Sequence, residues 1–384
     1  MLYADVTRLV IRNIRGIHHT GIDRVNLEYA RWVHLQGGGL CLRRGTELKL
    51  LSRESWGKFL LSDIQPGSPN RQKRQQVAFL LRALAFRRSV PPETTVAVTT
   101  HSWLACQQTW HWVQKRRKRT FVFIHDLIPI QYPEYSHPRE KALHNRRLEN
   151  TLIHSTGIIV NSCCTESGVR DFAEEASLPA PPILVAPLGQ NFPEPSAPYQ
   201  DVKSHPYFLI LGTIEPRKNH LLLLTLWREL AKKYGSKAPH LVVVGRRGWE
   251  CEQVVDLLDR CDAIRPYLVE RNKSSDSEVL ALLQGARAVL MPSFAEGFGL
   301  PVQEALALGT PVISSPLNAI KEFAGEIPDY ADPFDGKRWL ELIEDYARPD
   351  SRCRAAQVGR MKGFHQITWP QHFSKVQEFF KAIA

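Results

Sequence analysis

Short apolar runs alternate with longer stretches of helical spacing along most of this chain. Strands of a parallel sheet have both faces covered, so they are short, nearly continuous apolar runs. In the N-terminal half the pattern predicts strands near residues 7–15, 94–99, 120–125, 157–161 and 183–186. In the C-terminal half it predicts strands near residues 207–211, 240–245, 264–269, 287–291 and 311–314. This alternation is typical of doubly wound α/β domains.

A proline-rich stretch separates the two series of strands. Residues 187–206 contain four prolines after Leu188 and few apolar residues, so they are predicted to form a linker. The chain of 384 residues exceeds what one core usually organises. We therefore predict an N-terminal domain over residues 1–195 and a C-terminal domain over residues 205–366. The segment from Ile367 onwards, about residues 367–384, has apolar residues at helical spacing and is predicted to form a final helix.

Positive charge is concentrated in the N-terminal half. Residues 1–200 carry 26 Lys and Arg against 16 Asp and Glu, whereas the rest carries 24 against 23. Two segments, residues 70–88 and 110–119, combine cations with apolar or aromatic residues. Such segments can hold a protein on an anionic membrane surface. The alternative is that they are ordinary helices with solvated basic faces. A nucleic-acid partner is disfavoured because no recognised module accompanies the charge.

Cysteine usage and hydropathy indicate a reducing compartment. The seven cysteines include no Cys-x-x-Cys spacing, so we expect reduced and mostly buried thiols. No apolar run approaches the roughly 18 residues of a membrane span. The first residues carry Asp5 and Arg8 where a secretory signal would be apolar. We therefore expect a cytoplasmic protein, and the basic segments add peripheral contact of the N-terminal domain with the cytoplasmic face of the inner membrane.

Two glutamates flank a Gly-rich turn after the apolar run at residues 288–292. Glu296 would lie on the loop leaving this strand, and a helix would begin near Leu300 and contain Glu304. The backbone amides of residues 298–302 would point outward and could receive a phosphate. Carboxylates also accept strong hydrogen bonds from vicinal hydroxyls. The alternative is that both acids are solvated residues near a helix N-terminus.

Two further strand-end loops carry chemistry. Ligands of open parallel sheets bind beyond the carboxyl ends of the strands. Arg217 and Lys218 follow a strand of the C-terminal half and suit a diphosphate leaving group. His125 and Asp126 follow a strand of the N-terminal half, where an imidazole can donate to a hydroxyl or move a proton. The alternatives are surface cations and a structural histidine.

Glu296 and Glu304, with seven intervening residues and the Gly-Phe-Gly-Leu-Pro context, resemble the signature of retaining glycosyltransferases of family 4. The resemblance implies the GT-B fold, in which two Rossmann-like α/β domains with doubly wound parallel sheets face each other across a cleft. It also implies that the final helix crosses back to complete the N-terminal domain. In this family the first Glu contacts the donor sugar and the second holds the ribose.

The resemblance assigns the remaining site residues. His125 would lie near the transferred sugar, and Asp126 would act as an acceptor-side base or orient His125. Trp249 would either stack on the nucleobase or pack in the core. The expected catalytic residues are His125, Asp126, Glu296, Arg217 and Lys218. The expected donor-binding residues are Gly21, Thr213, Arg217, Lys218, Arg246, Val269, Glu296, Gly297, Phe298, Gly299, Leu300 and Glu304.

Four segments, at residues 20–25, 125–129, 215–219 and 245–249, are most similar to those of bacterial mannosyltransferases that use GDP-mannose. The resemblance therefore implies a nucleotide-sugar donor, a lipid-linked oligosaccharide acceptor in surface polysaccharide assembly, and front-face displacement by the departing phosphate. No Asp-x-Asp is present, so we expect no metal and no cofactor. A UDP-sugar enzyme acting on a protein or small molecule is one alternative. A non-catalytic nucleotide-sugar-binding scaffold is the other.

Overall fold

A computed structural model describes residues 1–15, 17, 19–51, 88–192 and 206–383. The chain divides into two compact units. Unit 1 comprises Met1–Gln131, Pro138–Leu188 and Trp369–Ala384. Unit 2 comprises Tyr132–His137 and Gly189–Thr368.

Unit 1 is built on a seven-stranded sheet with the order β3-β2-β1-β4-β5-β6-β7. All neighbouring pairs are parallel except β2 and β3, which are antiparallel. Positions of the central strands such as Val98 and Val122 are completely buried, as a covered sheet requires. The strands are β1 Leu2–Asp5, β2 Gly39–Arg44, β3 Glu47–Leu50, β4 Thr95–Val98, β5 Arg119–Ile124, β6 Gly157–Val160 and β7 Ile183–Val185.

Helices cover this sheet. The last of them, α14, packs Phe373 flat against Trp32 of α2, with ring centroids 4.7 Å apart. This contact fixes the end of the chain to unit 1. The helices are α1 Thr7–Ile14, α2 Gly21–Leu35, α3 Gln107–Lys115, α4 Ile128–Gln131, α5 Glu140–His154, α6 Cys163–Glu175 and α14 Trp369–Ala382.

Unit 2 has a six-stranded sheet with the order β10-β9-β8-β11-β12-β13, and every neighbouring pair is parallel. Its strands are β8 Tyr207–Leu211, β9 His240–Val244, β10 Leu268–Arg271, β11 Ala288–Met291, β12 Val312–Ser314 and β13 Asp329–Tyr330. Its helices are α7 His220–Tyr234, α8 Glu252–Arg260, α9 Asp276–Gly285, α10 Leu300–Ala307, α11 Asn318–Ala324, α12 Gly336–Ala347 and α13 Arg352–Met361.

Strand order locates the place where unit 2 can bind a ligand. Counted within the unit, the order is 3-2-1-4-5-6, that of a dinucleotide-binding fold. The direction of winding reverses between β8 and β11, which pair directly through Ala288 and Phe208. In folds of this kind, ligands bind beyond the carboxyl ends of the strands at this point of reversal.

Two of the predicted strands are wrong. Residues 7–14 form helix α1, and the first strand is the shorter run Leu2–Asp5 before it. Leu9 and Val10 are buried on one side of that helix. The prediction is wrong because a short apolar run does not distinguish a strand from a helix. The strand predicted at residues 264–269 begins instead at Leu268, after a 3₁₀ turn that contains Pro266. The other predicted strands are confirmed within two residues.

The basic and thiol residues differ from expectation. In the segment of residues 110–119, Trp110 and Lys118 are buried, and Arg116 stacks over Trp112. The segment of residues 70–88 lies outside the described residues except for Arg88. All seven cysteines are free, yet only Cys41 and Cys251 are buried. Among the described residues, none of the helices has the length and apolarity to cross a membrane.

Candidate functional site

The loops after β8 and β11 meet through a compact ion-pair cluster formed by Glu215, Arg217, Lys218 and Glu296. Arg217 contacts Glu215 at 2.6 Å through Nε and Glu296 at 2.8 Å through Nη1. Lys218 Nζ contacts the other oxygen of Glu296 at 2.7 Å. One carboxylate therefore receives both cations, and the sequence prediction that these three residues lie together is realised within unit 2.

Burial gives this cluster its electrostatic character. The side chains of Lys218 and Glu296 are 7% and 8% exposed. Burial alone would raise the pKa of Glu296, but the charges of Arg217 and Lys218 outweigh it and lower that pKa to about 2. Burial also lowers the pKa of Lys218, and Glu296 opposes that change. Glu296 is thus ionised at neutral pH and acts only as a hydrogen-bond acceptor.

Backbone geometry holds the loop after β8 in place. Pro216–Lys218 form a 3₁₀ turn that ends at Asn219, a residue with left-handed φ of 55°. Asn219 Nδ2 donates to the carbonyl oxygen of Pro333 at 3.0 Å. Nearby, Gly245 approaches so closely that a Cβ there would lie 1.8 Å from the carbonyl oxygen of Gly212. Only glycine permits this contact between the loops after β8 and β9.

Helix α10 begins where the sequence predicted, at Leu300 after Gly299 with φ of 100°. The predicted set of five outward amides is too large. Pro301 has no N–H, and the N–H of Val302 donates to the carbonyl oxygen of Gly299 at 3.0 Å. Phe298, Gly299 and Leu300 remain as the amide donors for an anion. Gly297 lies on the same loop, half-buried.

Glu304 lies in the second turn of α10 and is only 6% exposed. Ionised carboxylates are seldom buried to this degree unless hydrogen-bond donors surround them. The alternative that Glu304 is a solvated surface acid is therefore wrong.

The loop after β9 and strand β10 contain Arg246, Trp249 and Val269, which were candidates for binding the donor, and some of their charged side chains form ion pairs. Arg247 contacts Asp259 and Glu270, and hydrogen bonds to these two carboxylates raise its pKa. Arg246 is exposed and Val269 half-buried, while Thr213 lies half-buried in the loop after β8. Trp249 is 36% exposed, so its predicted alternative of core packing is wrong.

In unit 1, His125 follows β5 as predicted and is 5% exposed. Its Nε2 lies 2.8 Å from the carbonyl oxygen of Thr99, so this nitrogen carries the proton. Burial lowers the pKa of His125, which keeps the imidazole neutral. Asn161 Nδ2 donates to the carbonyl oxygen of His125 and fixes the loop.

Asp126 and Gly21 have local structural roles. Asp126 Oδ1 accepts from the N–H of Ile128 at 3.1 Å, which caps the short helix α4. Gly21 begins α2 behind the capping box of Thr20 and Asp23. The loop before Gly21 follows helix α1, because the predicted strand near residues 7–15 is a helix. Gly16 and His18 of that loop lie outside the described residues.

Sequence reasoning missed Glu215, His101 and His144. Glu215 lies in the segment of residues 215–219, in which the sequence assigned roles to Arg217 and Lys218 alone, although the Glu215 carboxylate orients Arg217. His101 and His144 pack their rings together with centroids 4.9 Å apart, and His101 also contacts His125. We call His101, His125 and His144 the imidazole cluster. His101 follows β4, so the strand-end rule would have found it, whereas His144 lies inside α5 and carried no signal.

In the part of the chain that the structure describes, no three His, Cys, Asp or Glu side chains are arranged to hold a metal ion.

The chain is similar in sequence to known mannosyltransferases. The chain is 28% identical to O-antigen chain mannosyltransferase B of Escherichia coli over 282 residues, which are 70% of this chain and 71% of that protein. It is also 28% identical to the serotype-specific mannosyltransferase WbdA of Escherichia coli, over 65% of this chain and 32% of that protein. The match thus spans about a third of the length of WbdA.

The fold is GT-B. Sucrose-phosphate synthase from Thermosynechococcus elongatus superposes with a TM-score of 0.62 at 15% identity, covering 100% of this chain and 98% of that one. The mannosyltransferase relatives and a family match define the protein as a glycosyltransferase. A family model described as "Family 4 Glycosyltransferase in conflict systems" matches residues 60–317, and the chain belongs to that family.

Proposed function

We propose that this protein is a metal-independent, retaining mannosyltransferase that takes mannose from GDP-mannose. The observation that carries the proposal is the ion-pair cluster at the point where the strand order of unit 2 reverses. Two cations and a permanently ionised Glu296 lie there beside the first turn of α10. The names of the O-antigen relatives favour mannose over other hexoses.

The chemistry of each residue follows from its ionisation. Arg217 and Lys218 would stabilise the negative charge that develops on the departing diphosphate. Arg217 is the more accessible, with 21% of its side chain exposed against 7% for Lys218, so it would make the more direct contact. Glu296 would accept hydrogen bonds from sugar hydroxyls, and Glu304 from the ribose.

The ion pairs within the cluster mean that a diphosphate must compete with Glu296 for Arg217 and Lys218. The four residues of the ion-pair cluster carry two positive and two negative charges, so the cations are already neutralised. A diphosphate would therefore replace part of the contact between these cations and Glu296. That exchange would release Glu296 oxygens toward the sugar, which links leaving-group binding to sugar binding.

We propose a saccharide acceptor, specifically a lipid-linked oligosaccharide at a membrane surface. The O-antigen relatives support it through their names. The description of the family places its members in conflict systems, a different setting, so the acceptor needs its own experiment. His125 is neutral and is held by the carbonyl oxygen of Thr99, and it would form a hydrogen bond with a hydroxyl of the transferred sugar.

Calorimetric titration of the chain with GDP, UDP and ADP tests the donor, with EDTA present and absent. We expect the tightest binding for GDP, the same in both conditions. Tighter binding of UDP than of GDP would contradict GDP-mannose as the donor, and weaker GDP binding in the presence of EDTA would contradict metal independence.

The acceptor and the stereochemistry need a separate reaction. Incubation with GDP-mannose and a mannose-terminated lipid-linked oligosaccharide should give an α-linked product, read from the anomeric proton signal. A β-linked product would refute retention. Lys218→Met is the test variant for this reaction, and Lys233→Met is its control. Lys233 suits that purpose because it lies on the exposed surface of unit 2, paired with Glu344.

A further inference from the structure

Phe334 is an unusually exposed aromatic ring. It lies in the turn between β13 and α12 with 80% of its surface exposed, the largest exposure of any large apolar side chain described in unit 2. Burying such an apolar side chain would stabilise the protein, because apolar surface would leave water. An exposed ring at a fixed position therefore suggests a role in binding.

The ring ends a short aromatic row. Phe334 packs beside Phe294 with centroids 5.1 Å apart and a 36° tilt. Phe294 stacks on Tyr135, which belongs to the same unit, at 5.5 Å and 8°. Phe294 and Tyr135 thus cover each other, and Phe334 is left as the most exposed ring of the row.

Hydrogen bonds attach this row to the ion-pair cluster. The N–H of Phe294 donates to the carbonyl oxygen of Arg217 at 2.8 Å. The carbonyl oxygen of Pro333, next to Phe334, accepts from Asn219 Nδ2 at 3.0 Å. Both rings are therefore positioned by the loop that carries Arg217 and Lys218, and the aromatic surface borders the proposed donor site.

Two carboxylates flank the ring. Asp332 Oδ1 accepts from the N–H of Phe334 at 2.8 Å, and Asp335 Oδ1 accepts from the N–H of Arg338 at 2.9 Å. Both residues are exposed, and their second oxygens point to no hydrogen-bond partner among the described residues. Lys337 and Arg338, both exposed, follow Asp335 after Gly336, so these four charged side chains carry no net charge. A surface without net charge, whose carboxylates can accept hydrogen bonds, favours a neutral ligand with hydroxyl groups.

We infer that Phe334, with Asp332 and Asp335, forms a subsite for a neutral hexopyranose unit of the acceptor glycan. The C–H face of the sugar ring would lie against Phe334, and its hydroxyls would donate to the two carboxylates. This inference rests on the proposed saccharide acceptor and names the surface that receives a sugar other than the one being glycosylated.

The test is binding of an α-linked mannotriose to the full chain, measured by calorimetry beside a parallel titration with GDP. Phe334→Ala should weaken mannotriose binding about tenfold, because truncating an aromatic anchor removes most of a contact of this kind. Phe334→Trp should retain binding, and Asp332→Asn should weaken it less. The matched control is Val358→Ala, at a residue 39% exposed on α13 of the same unit.

GDP affinity should be unchanged in all four variants. This separates the subsite from the donor site, since a chain that binds mannotriose through Phe334 but binds no GDP would refute the proposed donor and retain the subsite. Equal mannotriose binding by wild type and Phe334→Ala would overturn the inference. So would a wild type that binds no mannotriose at millimolar concentration.

A vesicle experiment tests the other explanation for the exposed Phe334 ring, which is contact with a membrane. The chain is sedimented with vesicles of neutral and of anionic phospholipid. If Phe334→Ala reduced sedimentation and left mannotriose binding intact, the ring would be a membrane contact and the inference would be wrong. Equal sedimentation of both proteins supports the sugar subsite.

Discussion

The strand-end residues of the two units differ in charge although the strands follow a similar order. In unit 2 the loops after β8 and β11 carry a fully ionised cluster, with the pKa of Glu296 lowered to about 2. In unit 1 the loops after β4 and β5 carry imidazoles, and burial lowers the pKa of each histidine in the imidazole cluster. Burial also raises the pKa of Asp5 at the end of β1.

Partners explain the difference. Buried charge persists in unit 2 because each cation has a carboxylate within 3 Å. In unit 1 the imidazoles contact one another, and the charges of Arg147 and Arg8 further lower the pKa of His101. The same edge of a parallel sheet therefore supplies fixed charge in one unit and neutral hydrogen-bonding groups in the other. Topology places a site, and the side chains decide its chemistry.

The largest effect is expected when the ionised cluster is broken. Lys218→Met removes one cation at similar volume, and we expect turnover to fall about 1,000-fold, because a charge that stabilises the leaving group is lost. Steady-state transfer measures it. Lys233→Met, whose side chain is 57% exposed, should keep wild-type turnover. Full turnover by Lys218→Met would refute the assignment of the cluster.

In unit 1 the matching change is His125→Asn, which preserves a donor toward Thr99 but removes the imidazole. We expect turnover to fall about 100-fold, a usual contribution of a positioned proton donor or acceptor. GDP affinity should stay unchanged, because the nucleotide is assigned to unit 2. His111→Asn, at an exposed histidine of α3, is the control. Reduced GDP affinity in His125→Asn would contradict this division of roles.

His220 is the residue of unit 2 that most resembles the imidazole cluster. It is 3% exposed, neither ring nitrogen has a partner among the described residues, and burial lowers its pKa to about 3. The unfolded chain therefore binds this proton first, and stability is lost as pH falls from about 6.5 toward 3.

Replacing His220 by Met should remove that loss. Lowering the pH from 8 to 5 should reduce the free energy of unfolding of the wild type by about 2 kcal/mol more than that of the variant. Urea denaturation at the two pH values measures it. His365→Met, at an exposed position, serves as control. A wild type and variant that respond equally to pH would show that His220 is solvated in the native state.

The smallest effect is expected for Glu304→Gln. An amide accepts a weaker hydrogen bond than a carboxylate, so GDP affinity should fall about tenfold. Glu341→Gln, with the Glu341 side chain 50% exposed, should bind GDP as the wild type does. If both variants bound GDP equally, the ribose would not lie at Glu304.

Much of unit 2 was readable from sequence because its strands are short apolar runs bounded by Pro or Gly. β8, β11 and β12 and the start of α10 were predicted closely. Unit 1 was harder. β1 has only four residues, and the neighbouring run that forms α1 has an apolar content that suits either element. β2 and β3 were not predicted.

The sequence by itself determined the α/β class, the spacing of Glu296 and Glu304, and the strand ends that carry Arg217, Lys218 and His125. Those features depend on local periodicity and on residue type. Only the tertiary structure decided that Glu296 joins Arg217 and also Lys218, 78 residues away, that Lys118 is buried, and that Phe334 stays exposed. Ionisation and burial depend on neighbours distant in sequence, and a local pattern carries no information about them.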